Sequence, residues 1–439
     1  MNPNELYDRA FAALGETIDE RRARGIYMAM GYSSDLDLIC SVDGECLGKL
    51  IEEYLTPQEQ TEIARPQIVT DGKTLIRAIV YHCVTGLGGE IGITDPKIAC
   101  DLFEHSKGMG GTGVQAAMAL ARLGCPSIVH LTDDSADVTR LLDNECIYTV
   151  SDEGELIRAG EKREINGREI HFIIQFRKGD IIHLAGREVS LPASNRLIVV
   201  ETHINSRLPF QKSYFDWVET NAKRVSSLLV SSFNCIQSEE LLNERLETIV
   251  THICRYRENN PDGVVYAEDG FYHSKSIQKN VYERLYGLVD IAGINEEELT
   301  QALEAFCGYE LDIDDFASCL EGLERMCEYL QVRKGIVLHT KDYSLYYGAE
   351  SGFEIEKGLV YGNLMATAKA MHGHYGGTNE LAEVMSLELS RKGLDFLSYL
   401  GGVKPRRGVL LVPTRYLSAP KYTIGLGDSF LAGMQMCFM

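Results

Sequence analysis

None of the twelve cysteines forms a C-x-x-C pair, which removes the usual spacing of structural zinc and of thioredoxin-type redox sites. So many unpatterned thiols suit a reducing compartment better than a disulfide framework. Long apolar runs are missing too, and none nears the length of a membrane span. The first stretch, Met1 to Gly25, is charged and amphipathic (Leu6, Phe11, Leu14, Ile18) and lacks the apolar core of a secretory signal. Positive charge is scarce: 43 Lys and Arg stand against 64 Asp and Glu, a net charge of −21. A nucleic acid or an anionic bilayer would be repelled, so neither is expected as a partner. There is no fixed-period repeat, no low-complexity tract, no GxxxxGK[ST] loop and no GxSxG elbow. These absences predict a cytoplasmic protein that handles small molecules.

The 439 residues, 45% of them hydrophobic, suffice for two or three domains or for one large core with an insert. Short apolar runs alternate with helical patterns, which predicts an α/β fold with a parallel sheet. Strands are expected at 26–31, 127–131, 227–231, 264–267, 335–339 and 408–412. Helices are expected at 113–123, 238–254, 276–286, 296–306, 313–329, 377–391 and 429–436. From about 155 to 202 the pattern changes to strand after strand, with turn signals at Asn166-Gly167 and Lys178-Gly179. This reads as an antiparallel patch, a natural lid. The expected division is a large body of residues 1–39, 76–150 and 220–439, and a lid of residues 40–75 and 151–219.

Gly425-Leu426-Gly427-Asp428, followed by an apolar helix, is the most informative motif. Glycines let backbone N–H groups approach an anion, and a helix N-terminus favours negative charge. A carboxylate beside such a nest suits a kinase acting on a hydroxyl: one base and several donors. The same residues also read as a tight turn with an acidic cap. Gly108-Met109-Gly110-Gly111-Thr112-Gly113 matches GxGxxG, but Glu104-His105-Ser106-Lys107 stands where a dinucleotide fold needs a buried strand. A glycine hinge feeding a helix is the other reading. Asp35 and Asp37 follow the first strand, where carboxylates can accept bonds from sugar hydroxyls or merely decorate a turn. Asn295 and Glu298 fit a capping box and equally a hydrated magnesium site. His372-Gly373-His374 reads as surface histidines, and Asp312-Ile313-Asp314-Asp315 as a helix start. Lys178, Arg187 and Arg196 fall in the lid.

Taken in order, Gly31…Asp37, Gly110-Gly111, His171…Phe176, Asn195…Ile198, Asn295…Glu298 and Gly425…Asp428 resemble the ADP-dependent glucokinase/phosphofructokinase family of the ribokinase-like superfamily. The resemblance implies a three-layer α/β/α sandwich with a small β-rich lid. It implies that the large body binds nucleotide and the lid covers the sugar. It implies Asp428 as the catalytic base and Gly425, Leu426 and Gly427 as the anion hole. Asn295 and Glu298 would organise Mg²⁺ through water. Asp35, Asp37, Gly110, Gly111 and Arg196 would face the substrate. The donor implied is ADP, the product AMP, and the acceptor glucose or fructose 6-phosphate. Ser33 and Asp35 stand where the family often carries asparagines, and Thr112 where it often has glutamine. Two alternatives stay open: an ATP-dependent sugar or nucleoside kinase of the same superfamily, and a sugar- or nucleotide-binding regulator with weak turnover.

Overall fold

The computed structural model describes residues 2–201 and 204–439. In chain order the first strands are β1 Tyr27–Met30, β2 Asp35–Ser41, β3 Ile68–Val69, β4 Gly89–Ile93, β5 Ser106–Gly110, β6 Ser127–Val129, β7 Ile147–Val150, β8 Leu156–Arg158 and β9 Ile170–Phe176. They continue with β10 Ile181–Leu184, β11 Arg187–Ser190, β12 Asn195–Glu201, β13 Val225–Val230, β14 Val264–Glu268, β15 Ile291–Asn295, β16 Gly335–His339, β17 Tyr343–Gly348 and β18 Gly408–Pro413.

The larger sheet runs β18-β17-β16-β15-β14-β13-β1-β6-β7-β8. From β16 across to β7 every neighbour is parallel. Antiparallel β17 and β18 extend one edge, and β8 the other. The central strands are apolar on both faces, as sheets covered on both sides must be. In β13, Val225, Leu228 and Val230 enter one core while Leu229 enters the other. In β16, Ile336 and Leu338 face one way and Val337 the other. Helices Thr112–Arg122, Ile355–His372 and Leu426–Gln435 cover the first face; Glu239–Asn259, Lys275–Leu285 and Phe316–Leu330 cover the second. This is the expected three-layer sandwich.

The second sheet runs β3-β4-β12-β9-β2-β5, and β10 and β11 form a separate hairpin. It is mixed rather than purely antiparallel: β12–β9 and β2–β5 are antiparallel, but β2–β9, β4–β12 and β3–β4 are parallel. Its membership also departs from the division read from sequence. Residues 35–39 and 89–110, assigned to the body, supply β2, β4 and β5 to this sheet, whereas β8, assigned to the lid, pairs with β7 of the larger one. The strand-rich pattern was expected to run to about residue 202, which lies outside the described residues. Glycine-bearing strands such as Gly89–Ile93 and Ser106–Gly110 carry too little apolar alternation to announce themselves.

Two helices carry the floor of the cleft between the sheets. Ile355–His372 and Leu426–Gln435 meet backbone to backbone: a side chain at Gly433 would collide with Tyr361 and Gly362. The C-terminal end of the second helix is held by Arg21, which is fully buried. Its guanidinium donates to the carbonyls of Phe438, Gln435 and Met436, and to Ser226 Oγ at 3.0 Å. A cation there satisfies carbonyls that the helix leaves open and opposes its dipole. Replacing Arg21 with Met strands several buried acceptors, each worth about 1–3 kcal/mol. The expected outcome is a clearly lower urea midpoint for Arg21→Met, read by circular dichroism.

Candidate functional site

Helix Leu426–Gln435 begins earlier than the sequence suggests. Gly425 is its N-cap, in the left-handed region at φ 63°, and a side chain there would collide with Gln115 Oε1. Asp428 therefore sits inside the first turn rather than at the cap. The Gly425 carbonyl receives Ser429 N at 3.1 Å and Ser429 Oγ at 2.9 Å. The amides of Leu426, Gly427 and Asp428 belong to the first turn, where a helix offers no carbonyl partner, and they form a ready anion nest. Asp428 is half-buried. Burial pushes its carboxyl up to about 6, Lys369 pulls it down, Glu268 pushes it up, and the Thr112 hydroxyl and His339 pull it down.

A second group of acids gathers at the ends of β14 and β15, the carboxyl edge where open α/β sheets bind ligands. Glu268 receives His339 Nε2 at 3.0 Å, and His339 stacks on Phe430 with ring centroids 4.8 Å apart. Burial works against charge on His339, but Glu268, Glu298 and Glu296 outweigh it and raise the ring above its ordinary value. Asp269 accepts from the hydroxyls of Tyr282 and Tyr286, yet burial still pushes it up to about 7. Asn295 and Glu298 do form the capping box: Asn295 Oδ1 accepts from Glu297 N and Glu298 N at 2.9 Å, and Glu298 Oε2 accepts from Asn295 N at 3.1 Å. Burial, then Asp269 and Glu268, push Glu298 up to about 8. Both residues line the same cavity as Asp428, so cap and cleft wall coincide.

The third group faces it from the second sheet. Asp35 and Asp37 do not lie on a solvated turn. They open β2 and are each 3% exposed. His171 Nδ1 of β9 lies 3.0 Å from Asp35 Oδ2, and Asn205 Nδ2 donates to Asp35 Oδ1 at 3.1 Å. The Asp35, Asp37 and His171 ligand atoms fall within 4.8 Å of one another. Burial opposes charge on His171, but Asp35, Glu169 and Asp37 outweigh it and raise the ring well above its usual range. Gly110 lies against both acids, where a side chain would collide with Asp35. Gly111, at φ 94°, caps helix Thr112–Arg122. The strand ahead of it is the antiparallel edge β5, so the glycine cluster is a hinge rather than a dinucleotide turn.

Two cavities meet here. One, of about 740 Å³, is lined by Gly425, Leu426, Gly427, Asp428, Asn295, Glu298, Glu268, His339 and Arg196. The other, of about 980 Å³, is lined by Asp37, Gln115, Lys369, Tyr375 and Tyr422. Pro420 and Thr423 belong to both walls. The structure thus brings Gly425, Leu426, Gly427, Asp428, Asn295, Glu298 and Arg196 to one cavity and Asp37 to the adjoining one, while Asp35, Gly110 and Gly111 line neither and Gly110 packs against Asp35 and Asp37. Residues 26–436 match the model of the conserved region of ADP-specific phosphofructokinases and glucokinases. The chain belongs to that family.

It is 24% identical to an ADP-dependent glucose/glucosamine kinase of Pyrococcus abyssi, over 98% of this chain and 97% of that one. It is 22% identical to an ADP-specific phosphofructokinase of Thermococcus kodakarensis, over 94% and 95%. A solved ADP-dependent kinase complex with fructose-6-phosphate and ADPbetaS shares the fold with a TM-score of 0.79 at 19% identity, covering 99% of this chain and 97% of that one. The fold is ribokinase-like.

Sequence reading missed several residues of this family member's cleft: Lys369, Gln115, Tyr375, Glu268, His339, His171 and Asn205. Lys369 sits on a helix that no amphipathic stripe betrays, because Ile355–His372 is buried on most of its surface. Glu268 lies at the end of a strand that was recognised, and its position at a carboxyl edge was the available signal. His372 and His374 stay apart from the acids; His372 Nε2 lies 3.4 Å from Glu383. Asp315 caps helix Phe316–Leu330, as expected.

The acids have a consequence for stability. Above about pH 7 the buried neutral histidines His130 and His252, held low by burial, are uncharged in both folded and unfolded chains and add no slope. Glu298 and Asp269 keep protons that the unfolded chain has released, and His171 and His339 likewise. The folded state binds more protons, so stability falls as pH rises from about 7 to about 8.5. Thermal denaturation at the two values is expected to show a lower midpoint at the higher pH, with a smaller difference in Glu298→Gln.

Proposed function

We propose that this protein transfers the β-phosphoryl group of ADP to a hydroxyl of a hexose or hexose phosphate, releasing AMP. The observation that carries the reading is Asp428 in the first turn of Leu426–Gln435, in the wall of the cavity that Asn295 and Glu298 also line, with the cavity of Asp37 adjoining it at Pro420 and Thr423. Names borne by the relatives, a glucose/glucosamine kinase and a phosphofructokinase, support the same chemistry.

In this reading the nucleotide occupies the cavity beside Asn295 and Glu298, with its phosphates at the amides of Leu426, Gly427 and Asp428. Positioned donors of this kind supply most of the stabilisation that phosphoryl transfer needs. The acceptor lies against Asp35, Asp37, Gly110 and Gly111, whose carboxylates take hydroxyl protons as hydrogen bonds. Asp428, ionised above about pH 6, accepts the proton of the attacking hydroxyl. Arg196, which lines the nucleotide cavity from β12, reaches the phosphates from the lid side. Closing the second sheet over the first excludes water and protects ADP from hydrolysis. Lys107, Arg177, Lys178 and Lys421 line the acceptor cavity and favour a phosphorylated acceptor.

The cleft also fits Mg²⁺. Glu268 Oε2 is buried with no hydrogen-bond partner, and Asp269 and Glu298 line the same wall, so acceptor oxygens stand there for a cation to meet. Glu268 and Glu298 would hold the ion through its water, as Mg²⁺ prefers. Asn295 Oδ1 is committed to the helix cap and would act through Glu298. When bound, the ion would neutralise charge on the phosphates. All twelve cysteines are free thiols, which supports a cytoplasmic site of action.

Incubation with ADP and a panel of hexoses and hexose phosphates is expected to yield AMP and a phosphorylated sugar. Asp428→Asn is expected to lower kcat about 10²–10⁴-fold with little change in the KM for ADP. ADP formed from ATP in preference to AMP from ADP, or unchanged turnover in Asp428→Asn, would sink the proposal.

A further inference from the structure

Lys369 lies in the last turn of helix Ile355–His372 and is 4% exposed. A buried ammonium is costly unless something specific holds it. Among the described residues its hydrogen bonds go to two neutral oxygens, Gln115 Oε1 at 3.1 Å and the Gly425 carbonyl at 3.3 Å. The Tyr375 ring covers it, its centroid 4.0 Å from Nζ, and the Tyr375 hydroxyl donates to the same Gln115 oxygen at 3.1 Å. The charges that act on it through space are Asp428 and Asp37. It therefore stands between the acid on the helix and the acid on the second sheet, in the wall of the acceptor cavity.

Gly425 is the residue whose left-handed turn starts the anion nest. Ser429 grips its carbonyl from inside the helix, and Lys369 grips it from outside. We propose that Lys369 is a positioning residue for the transfer: buried under the Tyr375 ring, it pins the Gly425 turn that opens the helix of Asp428 and places its ammonium charge at the base of the anion nest. This rests on the reading of Asp428 as the base.

The balance of charge around Asp428 makes the assignment specific. Glu268 from β14 and Asp37 from β2 raise its proton affinity, and the Tyr375 phenol stands beside them. Lys369 from its helix, the Thr112 hydroxyl from Thr112–Arg122 and His339 from β16 lower it, with Lys369 the strongest of the three. Without Lys369 the base would face two acids with only His339 and a hydroxyl to offset them. Lys369 itself is held down to about 8, by burial, against the pull of the two aspartates. It remains charged at neutral pH.

The test separates charge from pinning. Lys369→Met removes both, and Lys369→Gln removes the charge but still donates to the Gly425 carbonyl. The Asp428 carboxyl is titrated by ¹³C NMR in each protein, its resonance assigned by loss in Asp428→Asn. This readout needs no turnover, so an inactive wild type would overturn the proposed function while the titration still decided the present one. Both neutral variants are expected to move the Asp428 midpoint up by about one pH unit, and Lys369→Arg to leave it near the wild-type value. In assays, kcat at neutral pH is expected to fall about 10-fold or more in Lys369→Met, with the acid limb of the pH profile moving upward and KM for ADP little changed. An unmoved Asp428 midpoint in either folded neutral variant overturns the proposal, as does a wild-type acid limb.

Discussion

Negative charge brought together in a closed space is the constraint on which the cleft depends. Asp35, Asp37, Glu268, Asp269, Glu298 and Asp428 converge on it from both sheets. Against them stand Lys369, Arg196 and two histidines. The protein tolerates the imbalance by letting carboxyls retain protons and by charging His171 and His339. An anion-binding helix start set beside so many acids is coherent only if cationic charge arrives with the ligands. In the function proposed here, a divalent ion accompanying the nucleotide would supply that charge.

The scaffold's answer to this electrostatic load is rigidity behind the site. Helix Leu426–Gln435 is fastened at both ends, by Lys369 and Ser429 at the glycine turn and by Arg21 at the far carbonyls. Its flank lies against Ile355–His372 so closely that Gly433 admits no side chain. The acids of β14 and β15 arise from strand ends whose interiors are wholly apolar. Charged groups sit where the apolar sheet stops, which is why a buried core and a polar cleft can share the same strands.

Much of this was legible in the chain. The parallel strands announced themselves because β13, β14 and β16 are short continuous apolar runs, and the Gly425–Asp428 motif because a paired glycine before an acid and an apolar helix is uncommon. The second sheet was harder to read. β5 carries two glycines among five residues and shows no strand-like run, and the aspartates of β2 read as a polar turn although Asp35-Leu36-Asp37-Leu38 alternates and pairing with β9 makes β2 a central strand. Helix Ile355–His372 lacks a polar stripe and so concealed Lys369. The partners of Asp35, namely His171 and Asn205, lie more than a hundred residues away, and only the tertiary fold brings them together.

Besides a shared apolar core, the crossings between the two sheets are stitched by polar side chains. Ser34 Oγ donates to the Asp133 carbonyl at 2.9 Å, and Thr132 Oγ1 meets Asn205 Oδ1 at 2.6 Å. Asp133 receives the amide of Glu169 at 2.8 Å, and Asn205 reaches Asp35. The carboxylate expected to recognise the acceptor is thus also a stitch in the seam between the sheets. A sugar that draws on Asp35 must compete with Asn205 and His171 for its lone pairs. On the proposed function, occupancy of the pocket and the set of the seam would draw on one shared pair of oxygens.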